Sequence, residues 1–277
     1  MRIFVTGCKG QLGRALYTAL AGHTLSGCDL PELDVTGREA IGAAIAAFAP
    51  DVVVHAAAWT DVEACARDPE KAYRINALGT QNVALACAAC GAALAYVSTN
   101  EVFDGTATEP YREWDPPQPI NPYARSKAAG EWFVCHLLTR FYVVRTAWLY
   151  AADGHNFPHR IVQLADERGV LQVVTDEVGN PTYAPDLAEA IAALICTGAY
   201  GVYHLTNAGY CSRYDFARQI LRLSAREHVP LEPITLADFQ RASTPPRFAP
   251  LANTAAAALG ITLRPWQEAL EEFLKSG

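Results

Sequence analysis

The sequence predicts an α/β fold, a doubly wound parallel sheet with a smaller, mostly helical C-terminal lobe. Three observations predict it. Short β-branched runs alternate with longer helical patterns through the first two-thirds of the chain. The first run leads directly into three spaced glycines, Gly7, Gly10 and Gly13. After about Tyr150 strands become sparse and proline-rich turns appear, at Asn180-Pro181, Pro230–Pro233 and Pro245-Pro246. Strand–helix alternation sets strands side by side in parallel and puts helices on both faces of the sheet.

Element by element, Ile3–Thr6, Thr24–Cys28, Val52–His55, Leu94–Ser98 and Tyr142–Arg145 read as buried strands. The helices between them are Gln11–Leu20, Thr36–Phe48, Ala72–Cys90 and Pro122–Leu138. Thr36 is expected to cap the second helix, with Glu39 three residues later completing a capping box. Beyond Tyr150 the expected strands are Leu171–Thr175 and Val202–Leu205. The expected helices are Asp186–Cys196, Ser212–Leu223 and Pro265–Phe273. This divides the chain into a Rossmann-type nucleotide-binding domain over 1–150 and a substrate-binding lobe over 151–277, the lobe interleaved with the last strands of the sheet.

Composition narrows the function. A net charge of −7 and the lack of a basic run argue against a nucleic-acid partner. No apolar run reaches the roughly 18–20 residues that span a bilayer, and the opening strand is too short for a signal peptide. The eight cysteines are scattered, mostly in apolar or alanine-rich stretches where a thiol acts as a small hydrophobe. Cys87-Ala-Ala-Cys90 has redox or zinc spacing. It has no second pair and closes a helical stretch, so it reads as structural. The expectation is a cytoplasmic protein with reduced thiols. His155 and His159 have metal-pair spacing, but Pro158 lies between them and no helix is assured, so no metal is expected.

Two motifs carry the chemistry. The glycine loop follows a strand and opens a helix, which lets the backbone turn tightly and approach a pyrophosphate at a helix N-terminus. Its alternative is a plain strand-to-helix turn. Asp29 ends the second strand about 20 residues after the loop, where a carboxylate binds an adenosine ribose. An acid there favours NADH, whereas Lys9 could meet the 2′-phosphate of NADPH, so the preference stays open. Asp34 and Val35 follow shortly and could contact the adenine.

Tyr123 and Lys127 are four residues apart and share a helix face. An ammonium one turn away should lower the phenol pKa from about 10 and make Tyr123 a useful proton donor or acceptor. Thr99 ends a sheet strand at its carboxyl end, where a hydroxyl can hold a substrate carbonyl. The small residues of His55–Thr60 end another strand and leave room for a flat nicotinamide ribose.

Together these segments resemble the extended short-chain dehydrogenase/reductases, and within them the dTDP-4-dehydrorhamnose reductase family. The match runs through Gly10–Gly13, His55–Thr60, Asp68-Pro69, Asn76-Ala77, Val97–Gly105, Asn121–Glu131 and Arg145–Trp148. It continues in Gly179–Leu187, Tyr203–Thr206 and Pro265–Leu270, which is essentially the whole chain. The resemblance implies Thr99, Tyr123 and Lys127 as the catalytic set, with NADPH or NADH as cofactor. Gly7, Gly10, Gln11, Leu12 and Gly13 would hold the pyrophosphate. Asp29, Asp34 and Val35 would lie near the adenosine. Ala57, Ala58, Trp59, Thr60 and Val97 would line the nicotinamide side, and Thr99, Asn100 and Trp148 would face a nucleotide-linked sugar.

The implied reaction is NAD(P)H-dependent reduction of the 4-keto group of a nucleotide-linked 6-deoxy-hexulose, by a monomer or homodimer. The alternatives are a nucleotide-sugar epimerase or dehydratase, and a non-catalytic NADP-binding subunit like that of methionine adenosyltransferase. Two departures stand out. Asn100-Glu101 replaces the family's acid and aromatic after the Ser-Thr pair. In Ser243–Arg247 the arginine is shifted from its usual Arg-Pro position.

Overall fold

The computed structural model describes residues 1–239 and 241–276. The first part runs β1 (Arg2–Thr6), α1 (Gln11–Ala19), β2 (Thr24–Cys28), α2 (Arg38–Phe48), β3 (Val52–His55), α3 (Val62–Arg67) and α4 (Pro69–Ala72). A π-helical turn (Tyr73–Leu78), α5 (Gly79–Cys90), β4 (Ala93–Thr99), a 3-10 turn (Asn100–Val102), α6 (Pro122–Leu137) and β5 (Phe141–Thr146) follow. Then come β6 (Leu149–Tyr150), α7 (Phe157–Glu167), β7 (Leu171–Val174), β8 (Val178–Gly179), β9 (Thr182–Tyr183), α8 (Ala184–Ile195) and β10 (Gly201–His204). The chain finishes with β11 (Cys211–Ser212), α9 (Arg213–Leu223), β12 (Leu231–Ile234), α10 (Thr254–Ala258) and α11 (Trp266–Ser276).

Alternation along each strand explains the layering. Ile3 and Val5 of β1, Val52 and Val54 of β3, and Tyr142 and Val144 of β5 share one face with Leu12 and Leu16 of α1 and Leu187 and Ile191 of α8. Phe4, Val53, Leu94 and Val143 point to the opposite face, against Ile41 and Ile45 of α2, Val83 and Cys87 of α5 and Val134 of α6. Both faces are therefore apolar, which is why these strands read as continuous hydrophobic runs. The result is a Rossmann-like parallel sheet of six strands in the order β10-β5-β4-β3-β1-β2. The chain leaves β1 for β2 on one side and crosses to β3 on the other. Sheets of this kind place ligands at such a reversal, beyond the carboxyl ends of the strands. A second core gathers Tyr150, Phe216, Trp266 and Phe273 beneath α7, α9 and α11.

Three sequence expectations need correction. Gly37, not Thr36, caps the second helix, which starts at Arg38. The Thr36 amide instead donates to Asp34 Oδ1 at 2.8 Å, so a turn uses up the residue expected to cap. The helix expected over Ala72–Cys90 opens with a π-helical turn that contains Asn76. A helix spans Phe157–Glu167, where none was expected. Asn156 accepts the His159 amide at 3.1 Å, and Pro158 sits in the first turn, where proline starts helices as readily as it ends them.

All eight cysteines are free thiols, and Cys87 packs in the core. No helix among the described residues is long and apolar enough to cross a membrane.

Candidate active site

Gly7 leaves β1 with φ +71°, and a Cβ there would meet Ala57 N at 2.7 Å. The first loop and the end of β3 thus touch backbone to backbone. At Gly13 a Cβ would collide with Gly7 O, so the helix can start this close only on a glycine. Gly10 occupies the cap position of α1 and brings no side-chain acceptor, which leaves the first amides of the helix turned to the cleft. This cradle suits a pyrophosphate.

Beyond it lies a cavity of about 320 Å³ lined by Asp29, Asp34, Val35, Ala57 and Trp59. Asp29 is held open to this space by two backbone donors, Lys9 N and Leu30 N, both at 2.8 Å. Lys9 does not stand free for a phosphate: its ammonium pairs with Glu32 at 2.6 Å. Glu32 carries no sequence signal and was not singled out. Asn76 fixes Trp59 by accepting its amide at 2.7 Å and donating to its carbonyl at 3.0 Å. His55, at the end of β3, is buried between the Thr6 and Thr80 hydroxyls, and burial lowers its pKa to about 3. It is a neutral structural group.

On the other side of the loop a cleft of about 380 Å³ brings together the glycine loop, Ala58, Thr60, Val97, Thr99, Asn100, Tyr123, Lys127 and Trp148. The two spaces share Gly7, Gly10, Ala56 and Ala58, so one groove crosses the carboxyl edge of the sheet. Tyr123 enters it from the first turn of α6, where Asn121 Oδ1 accepts the Ala124 amide at 2.8 Å. Further along α6, Glu131 is clamped by Arg145 of β5 at 2.7 Å and by the Ser98 hydroxyl at 2.6 Å. The helix that carries Tyr123 is thereby fixed to the two strands beneath it.

The lysine does not tune the tyrosine in the way the spacing suggested. Lys127 Nζ donates to Val97 O at 2.6 Å and lies 4.3 Å over the Tyr96 ring. It is 3% exposed, and burial lowers its pKa to about 7, with Glu131 opposing. Burial, then the Glu101 carboxylate, raises the Tyr123 pKa above its usual value, against a hydrogen bond from Thr99. Both groups line the cleft, as their shared helix face suggests, but the low dielectric around them decides their protonation.

The remaining wall of the cleft is built by Thr99, Asn100 and Trp148. Thr99 Oγ1 accepts the Glu101 amide at 3.2 Å and donates to Asn100 Oδ1 at 3.4 Å. The Asn100 amide group is spent on Ala249 O at 3.0 Å. Trp148 holds a positive φ of 43°, an uncommon conformation for a bulky residue that the surroundings must enforce. The Arg213 guanidinium lies 3.7 Å over its ring. Arg213, His155 and Thr146 also line the cleft and were missed, because they arrive from the start of α9, a loop and the end of β5 with no local spacing to betray them. The shifted Arg247 is exposed, with its guanidinium 3.8 Å from Asp176. Among the described residues no three metal-ligating side chains converge.

Comparison with known proteins agrees with this geometry. The family model described as the RmlD substrate binding domain matches residues 1–277. The spore coat polysaccharide biosynthesis protein SpsK of Bacillus subtilis is 36% identical over 276 residues, 99% of this chain and 97% of the relative. The dTDP-4-dehydrorhamnose reductase of Mycolicibacterium smegmatis is 37% identical over 98% of this chain and 84% of its own. The crystal structure of the dTDP-4-dehydrorhamnose reductase of Bacillus anthracis in complex with NADP matches with a TM-score of 0.95 and 37% identity, covering 100% of this chain and 99% of that one. The chain belongs to the RmlD, or dTDP-4-dehydrorhamnose reductase, family.

Proposed function

We propose that this chain reduces the 4-keto group of a nucleotide-linked 6-deoxy-hexulose, of the dTDP-4-dehydrorhamnose type, at the expense of NADPH or NADH. The observation that carries this reading is the meeting of Thr99 and Tyr123 with the glycine loop in one cleft. Gly7, Gly10, Gln11, Leu12 and Gly13 would hold the pyrophosphate, and Asp29, Asp34 and Val35 the adenosine. Ala57, Ala58, Trp59, Thr60, Val97 and Lys127 would hold the nicotinamide nucleoside. A bound dinucleotide supplies the hydride.

The chain's own residues handle the oxygen. Thr99 donates a hydrogen bond to the carbonyl and keeps it oriented. Tyr123 gives its proton to the oxygen as negative charge develops there. Burial keeps the phenol in its protonated form at neutral pH. Trp148 and Asn100 would shape the sugar pocket. The division into a nucleotide-binding domain over 1–150 and a substrate lobe over 151–277 is part of the same reading. So are a cytoplasmic setting, supported by free thiols and acidic charge, and a monomer or homodimer without nucleic-acid or membrane partners.

The test is to mix protein, NADH or NADPH and a 4-keto-6-deoxy sugar nucleotide, and to follow nicotinamide absorbance and product together. Stoichiometric loss of absorbance with appearance of the 4-hydroxy sugar supports reduction. Product formation without net absorbance change would point to an epimerase, and no turnover to a binding subunit.

A further inference from the structure

Glu101 is the one carboxylate among the residues lining the Thr99–Tyr123 cleft. Its backbone amide donates to Thr99 Oγ1 at 3.2 Å, which locks its place relative to the hydroxyl that would hold the ketone. Its Oε2 accepts from Asn121 Nδ2 at 2.7 Å, and Asn121 is itself fixed as the cap of α6 and by donation to Thr244 O at 3.2 Å. One carboxylate oxygen is thus anchored, and the carboxyl borders the cleft beside Tyr123, close enough for its charge to act on the phenol.

From this arrangement we propose that Glu101 is a second acid–base group of the site, which removes and returns a hydrogen on a carbon next to the ketone and so enolises the keto-sugar. The inference rests on the reading of the substrate as a 4-keto sugar. The Glu101 carboxylate takes the proton. The C–H electron pair becomes the new C=C bond while the carbonyl π pair moves onto oxygen, where the Thr99 and Tyr123 hydroxyls stabilise it. Reversal returns a proton to carbon, drawn from solvent once Glu101 has exchanged. Nothing is oxidised or reduced, and a sugar already deoxygenated at C6 has no hydroxyl there to eliminate, so the enol returns to the ketone.

The environment of Glu101 suits both halves of the exchange. Burial raises its pKa to about 7, the Asn121 hydrogen bond opposes, Glu177 adds to the rise and Arg213 and Arg241 offset it. A group near neutrality can accept and donate in turn.

The experiment incubates the protein in D₂O with a 4-keto-6-deoxy sugar nucleotide and oxidised NADP, so that no reduction competes. Deuterium uptake is read by mass spectrometry and placed by NMR. Uptake next to C4 should exceed the protein-free rate by about 10²-fold or more. It should collapse in Glu101→Gln and survive in part in Glu101→Asp, with both variants checked for fold by NADP affinity. Uptake that persists at the wild-type rate in Glu101→Gln overturns the proposal. So does the absence of wild-type uptake. Reduction by NADH, run in parallel, separates the two ideas: turnover without deuterium uptake removes this role and leaves the reductase, whereas uptake without turnover does the reverse.

Discussion

Arg145 and Glu131 form an ion pair at 2.7 Å with side chains only 4% and 7% exposed, directly beneath the candidate active site. Two Arg145 nitrogens face the two Glu131 oxygens, and Ser98 adds a third donor. Such a pair gains little over a well-packed apolar one, but losing one partner strands the other's charge. Arg145→Met should therefore cost about 3–5 kcal/mol of stability. Denaturant unfolding at neutral pH checks this; a loss below about 1 kcal/mol would show that Glu131 simply protonates or rehydrates.

Tyr123→Phe keeps the ring and removes the proton. The turnover number should drop by about 10²–10⁴-fold, the usual worth of a general acid, with little change in cofactor affinity. A variant that retains most of its kcat would require another donor.

Asp29, Lys9 and Glu32 are joined in one polar cluster beside the proposed adenosine site, so under the proposed function they are the residues that set cofactor preference. Asp29→Ala removes a ribose acceptor and also a repulsion against the 2′-phosphate, so it should weaken NADH more than NADPH. Glu32→Gln should release Lys9 from its ion pair and favour NADPH selectively. Fluorescence titration with both cofactors reads this out. Equal changes for the two would place the 2′-position away from these residues.

Lys127 makes stability depend on pH in a definite direction. Its pKa falls to about 7 in the folded chain. An unfolded lysine titrates near 10.4. Between these values the unfolded chain holds the proton and the folded chain has released it, so this site makes stability rise with pH. Below about 7 both states carry the charge, and the folded one bears the full cost of its burial. Lys127→Met should thus be most favourable relative to wild type near pH 6, with the advantage shrinking as pH climbs towards 10. A difference in unfolding free energy that stays flat over that range would mean that the ammonium is well solvated in place.

The sheet was legible because its signal is local. Val52–His55 matches the expected strand residue for residue because a buried parallel strand declares itself as a short apolar run, and Thr24–Cys28 matches too, although as the edge strand it is largely half-exposed rather than buried as expected. The glycine loop and the Tyr123–Lys127 pair were legible for the same reason: their spacing is short. What escaped the sequence lay in longer-range contacts. Arg213 reaches Trp148 across many residues, and nothing near either one announces it. Pro158 reads as a breaker in isolation, whereas two residues after the Asn156 cap it is a helix-starting proline. The protonation of Lys127 was misread because burial, which decides it, is a property of the folded chain.

β10 completes the sheet beside β5, although β6, α7, β7, β8, β9 and α8 separate the two in sequence. Until Gly201–His204 emerges, β5 can pair only with β4 and keeps a row of unsatisfied amides and carbonyls along its other edge. Tyr142 and Val144 lack their cover from Leu187, Tyr203 and Leu205 in the meantime. Such an edge templates pairing with other chains. The chain thus holds its most template-like edge open until the sheet's last parallel strand is in place.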